Sequence, residues 1–77
     1  MKVRAISIID AYIKHYGVRR ISYHTLEKVR KYGLKRFNKQ HNTGTYDREF
    51  RTLKSLEPTR FTKVADSKSY MTWKVNR

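Results

Sequence analysis

The chain has no cysteine, one proline, three glycines and only six acidic residues. Without cysteine there is no disulfide to staple the fold, a composition that fits a reducing compartment. A structural zinc is equally unsupported, because His15, His24 and His41 stand far apart in sequence with no thiolate partners. The acids are dispersed, with no pair of carboxylates spaced for metal binding or acid–base work, and no glycine-rich phosphate loop is present. An enzyme is therefore not expected, nor a cofactor. No apolar run approaches the roughly 20 residues of a membrane span, and the start MKVRAISIID carries Asp10 and no secretory cleavage pattern. Low-complexity tracts and internal repeats are also missing.

What is abundant is positive charge. Nineteen Lys and Arg give a net +13 and a pI near 10.4. Self-repulsion on that scale opposes compaction unless a polyanion neutralises it, and nucleic acid is a better candidate than a membrane surface. The length of 77 residues is that of one small domain. Seventeen Leu, Ile, Val and Phe residues supply one compact core, and ten aromatic residues argue against wholesale disorder.

The segment Thr43 to Leu56, TGTYDREFRTLKSL, is the best-defined local pattern. Tyr46, Phe50 and Leu53 recur at helical spacing with Leu56 beside them, an inward stripe. At about 100° per residue, Arg48, Arg51, Thr52 and Ser55 fall opposite that stripe and Lys54 on its flank. Thr45 is the expected N-cap and can equally serve a phosphate, Asp47 and Glu49 are placed in the first turn, and Pro58 follows the end.

The rest of the chain is organised around this segment. Residues 3–16 predict a first core helix with Ile6, Ile9, Ile13 and Tyr16 on one face, Arg4, Ser7 and Lys14 pointing away, an Asp10–Lys14 pair, and a Gly17 stop. Residues 18–21 make a brief extended piece carrying Arg19 and Arg20, after which Ser22 caps a second helix. From Tyr23, Leu26, Val29, Gly33, Leu34 and Phe37 share one arc if the helix is continuous. The competing reading stops it at Gly33 and begins a second turn. Residues 28–41 hold Lys28, Arg30, Lys31, Lys35, Arg36 and Lys39 and no acid, a basic surface placed beside the 43–56 segment. A polar connection through Asn42 and Gly44 follows. Beyond Pro58 the period changes to two: Phe61 and Lys63 alternate, then Met71, Trp73 and Val75 alternate with Tyr70, Thr72 and Lys74. With Asp66, Ser67 and Lys68 between them, these runs predict a β-hairpin at 60–75. Tyr12, Tyr16, Tyr46, Met71 and Trp73 are assigned to the core.

Helix, helix, helix, hairpin defines an α+β, mainly helical domain. TYDREFRTLKSLEP followed by a Trp-containing hairpin resembles the third helix and wing of the small winged helix-turn-helix DNA-binding proteins of phages and mobile elements. The resemblance spans nearly the whole chain in topology and residue character, without a signature motif. It implies double-stranded DNA binding by a transcriptional regulator in a bacterial cytoplasm, with the helix 45–56 in the major groove and the wing on the backbone. One departure is the Gly33 to Gly44 connection, longer than the about three or four residues of a tight helix-turn-helix.

Arg48 and Arg51 are then the candidate guanine readers, with Thr52, Ser55, Lys54 and Thr45 beside them. Lys28, Lys31, Lys35, Arg36 and Lys39, together with Lys63 and Lys68 of the hairpin, are candidate phosphate contacts. The competing reading of each face is a solvated, solubilising surface, and the net +13 favours contact with nucleic acid over it. Two other readings stay open: binding of structured RNA, and a small phage inhibitor, anti-CRISPR-like or polymerase-binding, acting on a host nucleoprotein. A domain this small covers few base pairs, so a homodimer on two half-sites would add specificity.

Overall fold

The computed structural model describes residues 4–64 and 72–76. The order is α1 (Ala5–Tyr16), β1 (Arg20–Ile21), α2 (Tyr23–Phe37), α3 (Thr43–Leu56), β2 (Phe61–Lys63) and β3 (Trp73–Val75). The expected mainly helical α+β architecture of three helices and a hairpin is present. The brief extended piece after α1 adds a third strand to the hairpin. The antiparallel sheet runs β1-β3-β2, with Arg20 opposite Lys74, Ile21 opposite Trp73, and Phe61 opposite Val75. The expected Asp66–Lys68 connection and Met71 lie outside the described residues. No helix of the described residues is long and apolar enough to cross a membrane.

All three helices and the sheet feed one core. Ala5, Ile8, Ile9 and Ile13 come from α1, Leu26 and Val29 from α2, Tyr46, Phe50 and Leu53 from α3, and Ile21, Phe61 and Val75 from the strands. The inward arc of α1 differs from the sequence expectation: Ile8 is buried, Ile6 is half-buried and Tyr16 is 60% exposed. The arc is wide because α1 packs on both α2 and α3. Tyr16 is left outside because Gly17, at φ 60°, turns the chain away just after it, with the Val18 N–H returning to the Ile13 carbonyl at 3.1 Å.

The second helix is continuous through Gly33. Ser22 and Thr25 form a reciprocal capping box at its start. Its stop is Asn38, at φ 52°, whose N–H meets the Leu34 carbonyl at 3.1 Å while the Lys39 N–H meets that of Gly33 at 3.2 Å. This is a left-handed C-terminal closure, with its 5→1 bond from Asn38 to Leu34, built on asparagine instead of glycine. Gly33 therefore serves packing rather than termination. A Cβ there would overlap the Tyr46 hydroxyl and stand 3.2 Å from Ile8 Cγ2. Leu34, assigned to the inner arc, is 42% exposed on this longer helix, and Lys39 lies beyond its end.

Because α2 reaches Phe37 and α3 starts at Thr43, the connection between them is only residues 38–42, and the expected long Gly33–Gly44 linker is corrected. The cap of α3 is corrected too. Asn42 Oδ1 accepts from the Thr45 N–H at 2.8 Å and the Thr45 hydroxyl at 3.0 Å, so Thr45 and Gly44 lie inside the first turn. Asp47 and Glu49 consequently fall beyond that turn, where the helix dipole has faded.

An ion-pair cluster ties the hairpin to α1. Arg60 Nη2 approaches Asp10 Oδ1 at 2.6 Å and its Nη1 approaches Glu57 Oε2 at 3.1 Å, while Lys14 holds the other Asp10 oxygen at 3.1 Å. Burial pushes the Asp10 carboxyl up, but its contacts with Arg60 and Lys14 outweigh that and hold it below 3.8. A depressed carboxyl stabilises the fold fully above 3.8, and that stability is lost as pH falls through the lower folded value. Asp10→Asn is thus expected to lower the urea midpoint near neutral pH and to match the parent once the medium is acidic enough to protonate Asp10 in the fold. An equal deficit at both pH values would contradict this assignment.

Candidate nucleic-acid interface

The inward stripe of α3 fixes which of its residues face out. With Tyr46, Phe50 and Leu53 buried, Arg48, Arg51, Thr52 and Ser55 are all on the outer side and all exposed. Arg48 makes no ion pair among the described residues. Arg51 Nη2 lies 3.3 Å from Asp47 Oδ2, one turn earlier. An exposed pair of this kind is worth about 0–1 kcal/mol, so Arg51 can exchange Asp47 for a phosphate or base edge at little cost. The Thr52 hydroxyl donates to the Arg48 carbonyl at 3.3 Å. Thr45, half-buried, commits its hydroxyl proton to Asn42, which leaves it an acceptor and therefore a poor phosphate ligand.

Lys54 is placed differently from the other α3 cations. Its ammonium sits 3.9 Å from the Trp73 ring centroid and 4.8 Å from that of Phe50. Desolvation lowers its pKa, and the positive charges of Arg51 and Lys63 act in the same direction against the opposing pull of Asp47. The stem of Lys54 thus bridges α3 to the hairpin. Lys63 is the cross-strand partner of Trp73 and is exposed, so it continues the cationic surface of α3 onto the sheet. Lys68 lies outside the described residues.

The sheet adds cations that the sequence marks only faintly. Arg20 and Lys74 are exposed cross-strand partners on β1 and β3, and Arg19 and Lys74 line an open depression with Val75 and Asn76. Strand alternation is the available signal for Lys74, and the pairing of β1 with β3 is needed to bring Arg20 to it.

Of the basic residues of α2, Arg30 lies near enough to α3 for its charge to act on Tyr46, but the others are turned to a different neighbour. Lys28, Lys31, Lys35 and Arg36 are exposed and line an open groove against α1, whose wall is Tyr12, His15, Tyr16 and Tyr32. Lys39 is past the helix end. The cations expected to meet nucleic acid therefore fall mainly into two groups, one on α3 with Lys63 and one in the α1–α2 groove. Among the described residues, no group of three His, Asp or Glu side chains gathers as a metal site. Comparison with protein-family models, with curated proteins and with solved structures finds no match to this chain.

Proposed function

We propose that the chain is a double-stranded DNA-binding protein of the winged-helix type, serving as a phage or mobile-element transcription regulator in a bacterial cytoplasm. The observation that carries the reading is the outward face of α3, where Arg48, Arg51, Thr52 and Ser55 stand together on a stiff helix in a chain of +13. The short 38–42 connection supports it by bringing the link between α2 and α3 close to that of a tight helix-turn-helix. Strand β1, which ties the hairpin back to the chain ahead of α2, supports it as well. In this reading α3 enters the major groove, Arg48 and Arg51 meet base edges or phosphates, and Lys63 grips the backbone through the hairpin. Lys54 anchors the hairpin to the helix while adding its charge.

Titration of a labelled duplex by anisotropy at several salt concentrations tests this. The expected result is a linear fall of log affinity with log salt, with Lys63→Ala reducing the slope by about 0.9, the value of one phosphate contact. No duplex binding at physiological salt, or displacement of the duplex by structured RNA at far lower concentration, would overturn it.

A further inference from the structure

The groove between α1 and α2 holds an arrangement that the α3 reading does not use. Tyr32 stands at its centre, with ring centroids 5.4 Å from Tyr12, 5.8 Å from Tyr16 and 5.9 Å from His15. Tyr12 and Tyr16 lie 4.8 Å apart, and His15 meets Tyr16 edge-on at 4.7 Å. These are tilted and edge-to-face contacts that leave Tyr16 60% exposed at the mouth. The opening is about 470 Å³, within the range of ligand sites. Its rim carries Lys28, Lys31, Lys35 and Arg36, and no carboxylate among the described residues lines it. Four cations around one groove repel each other, and while Tyr12 and Tyr32 pack partly on the core, Tyr16 leaves most of its ring in solvent. An anion with a flat, stackable part satisfies both.

We infer that this groove is a second nucleic-acid site, which takes an unpaired nucleotide of a single strand, its base against the tyrosines and its phosphates on the α2 cations. Base–aromatic stacking on a basic track is the general chemistry of single-strand binding, and it tolerates any sequence because every base has a π-face. A duplex keeps its bases stacked inside, so it meets only the cations here. The inference does not rest on α3 binding a duplex.

The test uses the full chain and three labelled probes: a short oligothymidylate, its uridylate counterpart and an abasic strand of equal length. Tyr16→Ala is expected to weaken both base-carrying strands by roughly 5- to 150-fold, the effect of losing one stacked base, and to leave abasic-strand and duplex affinity unchanged. Tyr16→Phe, which keeps the ring, should retain full affinity. Lys31→Ala with Lys35→Ala should weaken all three single strands. Thermal melting of each variant checks the fold. Equal binding of thymidylate and uridylate assigns the site to unpaired strands of either sugar, and a preference assigns it to one; both agree with the inference. Abasic and base-carrying strands bound equally well by the parent would overturn it, as would displacement of the oligonucleotides by a polyglutamate peptide at equal charge.

Discussion

Replacing Arg48 and Arg51 together by glutamate is expected to weaken duplex binding by two orders of magnitude or more while leaving the fold intact. Both side chains lie on the outer face of α3, and the substitution breaks the exposed Arg51–Asp47 pair, worth about 0–1 kcal/mol. Against that small cost stands the removal of two arginine interactions of about 1–3 kcal/mol each, compounded by repulsion between the new carboxylates and the phosphates. The single change Arg48→Ala should alter which duplex sequences bind if arginine reads guanine, and should weaken all sequences alike if it only grips phosphate. Lys28→Ala and Lys31→Ala should disturb duplex affinity far less, because those lysines face the α1–α2 groove. Anisotropy titration of the three classes of variant against one duplex panel separates these outcomes. A double charge reversal without effect, beside a large drop from the α2 lysine changes, would place the duplex on the other groove.

The second large effect concerns stability. Gly33→Ala adds a methyl group in a helix interior, where alanine ordinarily gains about 0.5–1 kcal/mol over glycine. Here the new Cβ would meet the Tyr46 hydroxyl, with Ile8 close behind, and overpacking of this kind costs about 1–3 kcal/mol. Tyr46 cannot easily give way, since it is fully buried at the junction of the three helices. Its hydroxyl has no hydrogen-bond partner among the described residues, and burial raises its pKa. Removing that oxygen therefore costs little: Tyr46→Phe alone should leave the unfolding midpoint near the parent's or above it. In the Tyr46→Phe background, Gly33→Ala should shed most of its penalty. A domain of this size shifts its Tm by about 4–8 °C per kcal/mol, so the non-additivity is readily measured. Equal cost of Gly33→Ala in both backgrounds would show that the clash lies elsewhere.

The same pair of residues explains what the sequence does and does not disclose. The stripe of Tyr46, Phe50 and Leu53 is legible because burial on one side of an amphipathic helix imposes its period on the chain, whereas Leu56, expected beside them, is 69% exposed at the helix end. Gly33 is ambiguous because a glycine can end a helix or admit a neighbour into it. The deciding approach of Tyr46 joins residues far apart in sequence. The true stop at Asn38 is equally hidden, since asparagine is tolerated in the left-handed region but does not demand it. The cap of α3 falls on Asn42 instead of Thr45 because several cap-forming residues stand side by side there, and only the turn geometry selects among them.

For the interface, the outward residues of α3 follow from the helical period alone, and the fold keeps them on its surface. Helical period also places Lys28, Lys31 and Lys35 on one side of α2, but it does not say which neighbour that side meets. Tyr16 reads as core because it shares the face of Ile9 and Ile13, yet the helix outruns the core by one turn. Its exposure, and the groove that follows from it, depend on where α2 crosses α1. Lys54 is a flank residue by period, and only the return of β3 brings Trp73 beneath its ammonium.

Docking of duplex DNA on the outer face of α3 and the adjoining hairpin is tested most directly by titrating isotope-labelled protein with a duplex and following the backbone amide shifts. The largest changes are expected on residues 48, 51, 52 and 55 with Lys63, while the amides of 28, 31 and 35 move little. Changes concentrated along the α1–α2 groove, with α3 undisturbed, would contradict this docking.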